Sequence, residues 1–173
     1  MEFRLIYEGR LRADGLAKEK HDMRKALHPQ LKELWNQHQF LSVNIEHFAS
    51  AYQKCGFRFV PLVNERQCRV CALDILFLRR DHPGNLVKRG GDIDNRIKTL
   101  LDALRMPQDC NELAGAVPDA GEDPFFCLLQ DDELITEISV TTDRLLLPQK
   151  ASAHVNDVLL IIRVKTPVPE ELI

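Results

Sequence analysis

Apolar and polar positions alternate through residues 2–11, EFRLIYEGRL, and this predicts an opening strand. Between 16 and 36 the period changes: Leu16, Met23, Leu27, Leu31 and Leu34 recur at approximate helical spacing. Pro29 has no N–H to donate, so the pattern predicts two helical pieces with Pro29 near the start of the second. Ile45, Phe48, Ala49 and Tyr52 share one face of a short amphipathic helix within 44–54. FRFVPLV and CRVCALDILFLRR read as strands, the second long and apolar enough to lie centrally in a sheet. A loop, RDHPGNLVKRGG, precedes a helix over about 96–104, and ELITEISVTTDR and DVLLIIRVKT supply two further strands. Interleaved strands and helices predict an α/β or α+β fold: one mixed sheet flanked by helices, in a single domain over 1–173.

Composition narrows this little. The 173 residues, 45% hydrophobic and 28% charged, suit a globular chain able to bury its own core. No apolar run is long enough to span a bilayer and no charged-then-apolar leader opens the chain, so the expectation is a cytoplasmic protein without a membrane partner. Five cysteines at irregular spacing do not form a disulfide framework. Cys68 and Cys71 form a C-x-x-C pair inside an apolar run with no second pair to follow, which predicts buried reduced thiols rather than a zinc site. Trp35 and the six histidines show no ligand spacing and are read as packing or surface residues.

Charge changes the picture more. The net charge of -3 is unevenly spread: residues 1–99 carry 18 Lys and Arg against 12 Asp and Glu, whereas 100–173 carry 5 against 14. The basic excess peaks at Arg79, Arg80, Lys88, Arg89, Arg96 and Lys98, immediately around a group of carboxylates. A basic surface beside an acidic site is what a metal-dependent enzyme acting on a polyanion needs; a solvated charged rim is the plainer alternative.

The carboxylates lie in GGDIDNRIKTLLDAL, residues 90–104. On an extended backbone Asp92 and Asp94 point to one face about 6.6 Å apart. Such a pair repels unless one keeps its proton or a divalent cation lies between them, and Mg²⁺ prefers one or two carboxylates with waters and phosphate oxygens. Asn95 suits a helix N-cap. Beyond it Ile97, Leu100, Leu101 and Leu104 form a buried stripe, while Lys98 and Asp102 share another face, placing Lys98 to meet a phosphate. Each feature also has a structural reading, with Asp94 aiding the cap and Lys98 paired to Asp102 at the surface. D-x-D-N alone arises by chance in about one chain in fifty of this length, so the tetrapeptide carries little by itself. Other D-x-D chemistries fail on the neighbours. A calcium loop needs an oxygen ligand and then Gly where this chain has Arg96 and Ile97, and an aspartyl-phosphate phosphatase needs an apolar strand where VKRGG stands.

DIDNRIKTLLDAL followed by LLQDDELITEISV resembles the RusA-type Holliday-junction resolvases. Asp92, Asp94, Asn95, Lys98, Asp102, Ala103 and Leu104 fall in register with that motif, seven defined residues in thirteen positions, and Asp131 and Asp132 follow as its acidic pair before a strand. The resemblance covers roughly residues 74–145. It implies a RusA-like fold and a homodimeric, Mg²⁺-dependent endonuclease of bacterial or phage origin, with Mn²⁺ as a possible substitute, that nicks four-way DNA junctions in recombination and repair. Carried over by position, Asp92, Asp94 and Asp132 are metal ligands and Lys98 the cation of the site. Asn95, Asp102 and Asp131 are supporting or alternative ligands, Asp131 and Asp132 facing opposite sides if extended. The basic residues Arg79, Arg80, Lys88, Arg89 and Arg96 become DNA contacts.

The chain departs from the pattern in three places. YEGRLRADGLAKEK replaces a Pro- and Asn-containing loop after the first strand, VKRGG has fewer arginines than the family's basic run, and an acidic insertion occupies about 105–128. That insertion is placed to cover the site or a sheet edge, with Phe125 and Phe126 as core anchors or, alternatively, wedges into a junction. Two other functions stay open at this level: a RusA-fold DNA-binding accessory protein without turnover, and a metal-binding protein acting on small phosphorylated molecules.

Overall fold

The computed structural model describes residues 1–80, 93–148 and 153–167, less the side chain of Phe40. Strand β1 (Glu2–Arg10) turns Leu5 and Tyr7 inward and Arg4, Ile6 and Glu8 outward, as its alternation requires. Helices α1 (Ala17–Gln37), α2 (Gln39–Ser42) and α3 (Ile45–Ala51) follow, then strands β2 (Gln53–Lys54), β3 (Phe57–Val63) and β4 (Cys71–Arg79). Helix α4 (Ile93–Leu104) leads through a 3-10 turn, Cys110–Leu113, into β5 (Phe125–Leu129). Another 3-10 turn, Asp132–Leu134, opens into β6 (Ile135–Arg144), and β7 (Asp157–Lys165) completes an α+β domain.

Two mixed sheets replace the single one expected. The larger has the order β1-β7-β4-β6, with β7 antiparallel to both neighbours and β6 parallel to β4. The smaller has the order β2-β3-β5, with β3 and β5 parallel. Parallel strands buried on both sides read as continuous apolar runs, and FFCLL is one: every β5 residue is buried. Phe125 and Phe126 are therefore core residues, and the inserted segment is loop only up to β5.

Pro29 does not divide α1. The helix runs unbroken through it, because Met23, Leu27, Leu31 and Trp35 all bury on one face, and this packing outweighs the hydrogen bond the proline cannot make. The same helix buries polar groups against the inserted segment. His28 Nδ1 accepts from the Phe126 N–H at 2.9 Å and its Nε2 meets the Gly121 carbonyl at 3.2 Å, while His21 lies between Phe57 and Phe125.

Burial holds both imidazoles below their ordinary value of 6.5. Neighbouring Arg24 and Lys25 add to this at His21, against opposing Glu122 and Asp22; at His28 Lys32 lowers, while Glu122 and the Gly121 and Phe126 backbone raise. With folded values depressed, the unfolded chain binds more protons below pH 6.5, so this stability is present above that value and is lost as pH falls through it. Urea midpoints should therefore drop between about pH 7.5 and about pH 5.5, and His21→Phe should flatten the dependence.

The cysteines differ from expectation. Cys55 and Cys110 form a disulfide joining the β2–β3 turn to the 3-10 turn at Cys110–Leu113. Cys71 is buried, and burial pushes its thiol up to about 12, but Cys68 is exposed because the chain turns there through a left-handed residue.

Candidate active site at the two ends of helix α4

The motif helix begins at Ile93, three residues earlier than its pattern suggested. Asn95 consequently sits inside the first turn rather than capping it, and Asp94 is helical, not extended. Asp92, Lys88 and Arg89 lie outside the described residues. Asp94 and Lys98 are exposed one turn apart, Asp94 at the helix end where the backbone dipole favours a negative charge. Leu100, Ala103 and Leu104 bury the opposite face, with Ile97 and Leu101 packed at its margin. Thr99 donates to the Ala13 carbonyl at 3.2 Å, docking the first half of the helix on the segment after β1.

Two basic residues expected on the surface are inside. Arg96 is 3% exposed and its Nη2 bonds the Asn156 side chain at 2.9 Å; Arg79 is 1% exposed within β4. Both side chains are buried where the sequence pattern expected a basic surface. Arg80 is half-buried and donates to the Leu147 carbonyl at 3.1 Å.

At its other end α4 is held by ions that the sequence did not connect. Asp102 does not turn to Lys98; it pairs with Lys20 at 2.6 Å and Arg105 at 3.0 Å. Burial opposes its ionisation, but the Lys20 ammonium and the Arg105 guanidinium outweigh burial and hold its carboxyl below the usual carboxylate range. Asp102 is thus held by Lys20 and Arg105, not by the Lys98 that its spacing suggested. Arg105 also bonds Glu112, and the buried Arg24 bonds Glu112 and the carbonyls of Asp102, Arg105 and Glu112. Arg24 was missed because its partners lie 78–88 residues away, and nothing in the local pattern of α1 marks it.

Asp131 and Asp132 do not face opposite sides. Asp131 is extended, and its carboxylate accepts from the Glu133 N–H at 3.1 Å, whereas Asp132 opens the 3-10 turn, so the side chains converge. Burial raises the Asp132 carboxyl above its usual range, a shared hydrogen bond with Asp131 raises it further, and Arg105 opposes both. Asp131 also lines an open groove of about 270 Å³ with Tyr52, Lys54, Met106, Gln108 and Gln130.

The acids of the motif therefore occupy opposite ends of α4. Asp94 is in its first turn, whereas Asp131 lies beside Met106 and Gln108, beyond its last, and Asp132 is under the influence of Arg105. From Asp94 to Arg105 the axis rises about 16 Å, too far for one ion to bridge. Among the described residues no group of three or more His, Cys, Asp or Glu could hold a metal ion. A single chain thus does not fit a cation shared by Asp94 and Asp132.

The architecture defines the class, an α+β domain with a four-stranded and a three-stranded mixed sheet. No family model matches the chain, and no curated protein or solved structure matches it significantly. Among the described residues no helix is long and apolar enough to cross a membrane.

Proposed function

We propose that this chain is a structure-selective endodeoxyribonuclease that resolves four-way or other branched DNA with Mg²⁺, working as a pair of identical subunits. The observation that carries the reading is the fate of the motif's polar residues. Asp94 and Lys98 are left in water on one turn of a helix whose opposite face is buried, while Asp131 and Asp132 form a crowded acidic pair whose repulsion a cation would relieve. Separation along α4 makes the second subunit a requirement of the proposal: the Asp94 end of one copy must meet the Asp131–Asp132 end of the other. A divalent ion at such a junction would supply an activated water and neutralise charge on the departing oxygen. This chain's own contribution is narrower. Lys98 offers an exposed ammonium one turn from Asp94, placed to hold a phosphate oxygen and to offset charge on the phosphorus as it becomes five-coordinate. Of the basic residues read as DNA contacts, Arg80 is the described one that is not fully buried.

Incubated with Mg²⁺, the purified protein is expected to nick a synthetic four-way junction and spare plain duplex. Asp92→Asn should abolish cleavage and keep junction binding; Lys98→Ala should lower the rate by about 10²–10³-fold. Loss of all branched-DNA cleavage in folded wild-type protein would remove this reading. A junction bound and shifted in a gel without nicking would leave the accessory DNA-binding function.

A further inference from the structure

The two edges of the larger sheet are treated differently. At the β1 edge the Gln30 side chain satisfies the backbone, accepting from the Ile6 N–H at 2.9 Å and donating to the Ile6 carbonyl at 2.7 Å. At the β6 edge, among the described residues, no strand flanks Ile135–Arg144 on the outer side, and a side chain reaches its backbone only at the end, where Asp143 accepts from the Arg144 N–H at 2.7 Å. Seven of the ten residues are exposed and none is fully buried. An open edge of this length is a template for another strand.

The two faces of β6 say what that strand must carry. Ile138 and Val140 pair with Leu73 and Ile75 of β4 and so face the core side of the sheet. Val140 packs against the core, but Ile138 keeps 43% of its surface in water, so the apolar layer stops short of covering it. Aliphatic side chains on an added strand would continue that layer. The other face carries Glu137, Ser139, Thr141 and Asp143, all exposed. Around them, residues 131–143 hold five carboxylates, Asp131, Asp132, Glu133, Glu137 and Asp143, and no Lys or Arg; Arg144 follows at the end. Like charges directly opposite destabilise a strand pair, so this edge repels acidic strands and favours one with cations opposite Glu137 and Asp143.

We propose that β6 is a docking edge for an extended segment of a different protein, basic on one face and aliphatic on the other, which joins the four-stranded sheet as a fifth strand. Recognition by strand addition has two parts: backbone hydrogen bonds along β6 supply affinity that is blind to sequence, and side chains choose the partner. Cations of the incoming segment lie opposite Glu137 and Asp143, on the water side of the sheet. Its aliphatic side chains alternate with these and meet Ile138 and Val140 on the core side. The docking edge rests on β6 and its charges, not on the nuclease reading.

The peptide KVTVTVK, blocked at both ends and carrying a fluorophore, tests this. It reads the same in either strand direction, and it sets Lys opposite Glu137 and Asp143 and Val opposite Ile138 and Val140. Titrated with the full chain it should bind saturably, with a dissociation constant below about 1 mM at low salt that rises about tenfold at high salt. Amide exchange read by NMR should slow within residues 135–144. EVTVTVE should bind about tenfold more weakly. In the Glu137→Lys/Asp143→Lys variant, whose two changes lie in water, the preference should reverse and EVTVTVE should bind the tighter. Ile138→Ser should weaken both peptides alike, by about threefold. Urea unfolding of each variant reports whether the chain still folds. Absence of saturable KVTVTVK binding, or binding by folded variants that ignores the charge exchange, overturns the proposal. So does protection of 135–144 that grows with protein concentration alone, which would give the edge to a second copy. The two readings separate cleanly: a chain that takes the peptide and cuts no branched DNA keeps the docking edge and loses the nuclease, and one that cuts but ignores the peptide does the reverse.

Discussion

Replacing Arg24 with Met should cost about 3–5 kcal/mol of stability, read as a lower urea midpoint at unchanged slope. The reason begins at the last turn of α4. Met106 sends its N–H to the Leu129 carbonyl at 2.9 Å instead of back along the helix, so the Asp102 carbonyl loses its regular partner. The Arg24 guanidinium replaces it at 2.7 Å, and the same side chain reaches the carbonyls of Arg105 at 3.1 Å and Glu112 at 3.2 Å. A methionine fills the volume but leaves these acceptors in a site where Arg24 itself is only 2% exposed. Each unsatisfied buried acceptor costs about 1–3 kcal/mol. Arg24→Lys should recover part of the loss, because an ammonium can serve some of the carbonyls but lacks the planar fork that reaches them together. Recovery of full stability by lysine would mean that the carbonyls are not what the guanidinium serves.

This arrangement explains what sequence could convey and what it could not. β1, β3, β4, β6 and β7 were legible because burial on a sheet follows the period of two or a continuous apolar run, and both are local signals. α4 was legible for the same reason, through Leu100 and Leu104. Its start was not: Asn95 is a good cap in isolation, but the helix reaches back to Ile93, and Asp94 becomes a first-turn carboxylate. Pro29 misled in the same way, since a local rule about proline was outweighed by the burial of Leu27, Leu31 and Trp35 around it. FFCLL carried a strand signal of its own, and its place inside an apparent insertion concealed it.

The candidate site divides along similar lines. Residue types at fixed spacing identified Asp94 and Lys98, which remain exposed, but spacing says nothing about which charge a given charge will meet. Asp102 and Lys98 are one turn apart on the helix, yet Lys20, 82 residues away, takes the carboxylate. Arg96 and Arg79 counted toward a basic surface until the fold buried them. The length of α4 sets the strongest constraint: a motif compact in sequence has its described acids, Asp94 and the Asp131–Asp132 pair, at opposite ends of a helix.

Reduction of the Cys55–Cys110 bond should be the other large effect on stability. The bond closes a loop with a sequence separation of 55, and on the chain-entropy estimate such a crosslink contributes about 4 kcal/mol by restricting the unfolded chain. In the folded state it joins the turn after β2 to the segment after α4, and β2 and the start of that segment line the groove that holds Asp131. Other contacts there survive reduction. The Lys54 ammonium still reaches the carbonyls of Pro107 and Gln108, and Phe57, Phe59, Met106, Leu113 and Phe125 remain a buried cluster. The reduced protein should therefore stay folded with a lower thermal midpoint, and its first new protease cuts should fall between Pro107 and Asp123. A Cys55→Ser/Cys110→Ser double variant should reproduce the shift without reductant, and wild-type protein should approach it as dithiothreitol is added. Equal midpoints for oxidised wild type and the double variant would show that the crosslink adds nothing to the contacts on either side of it.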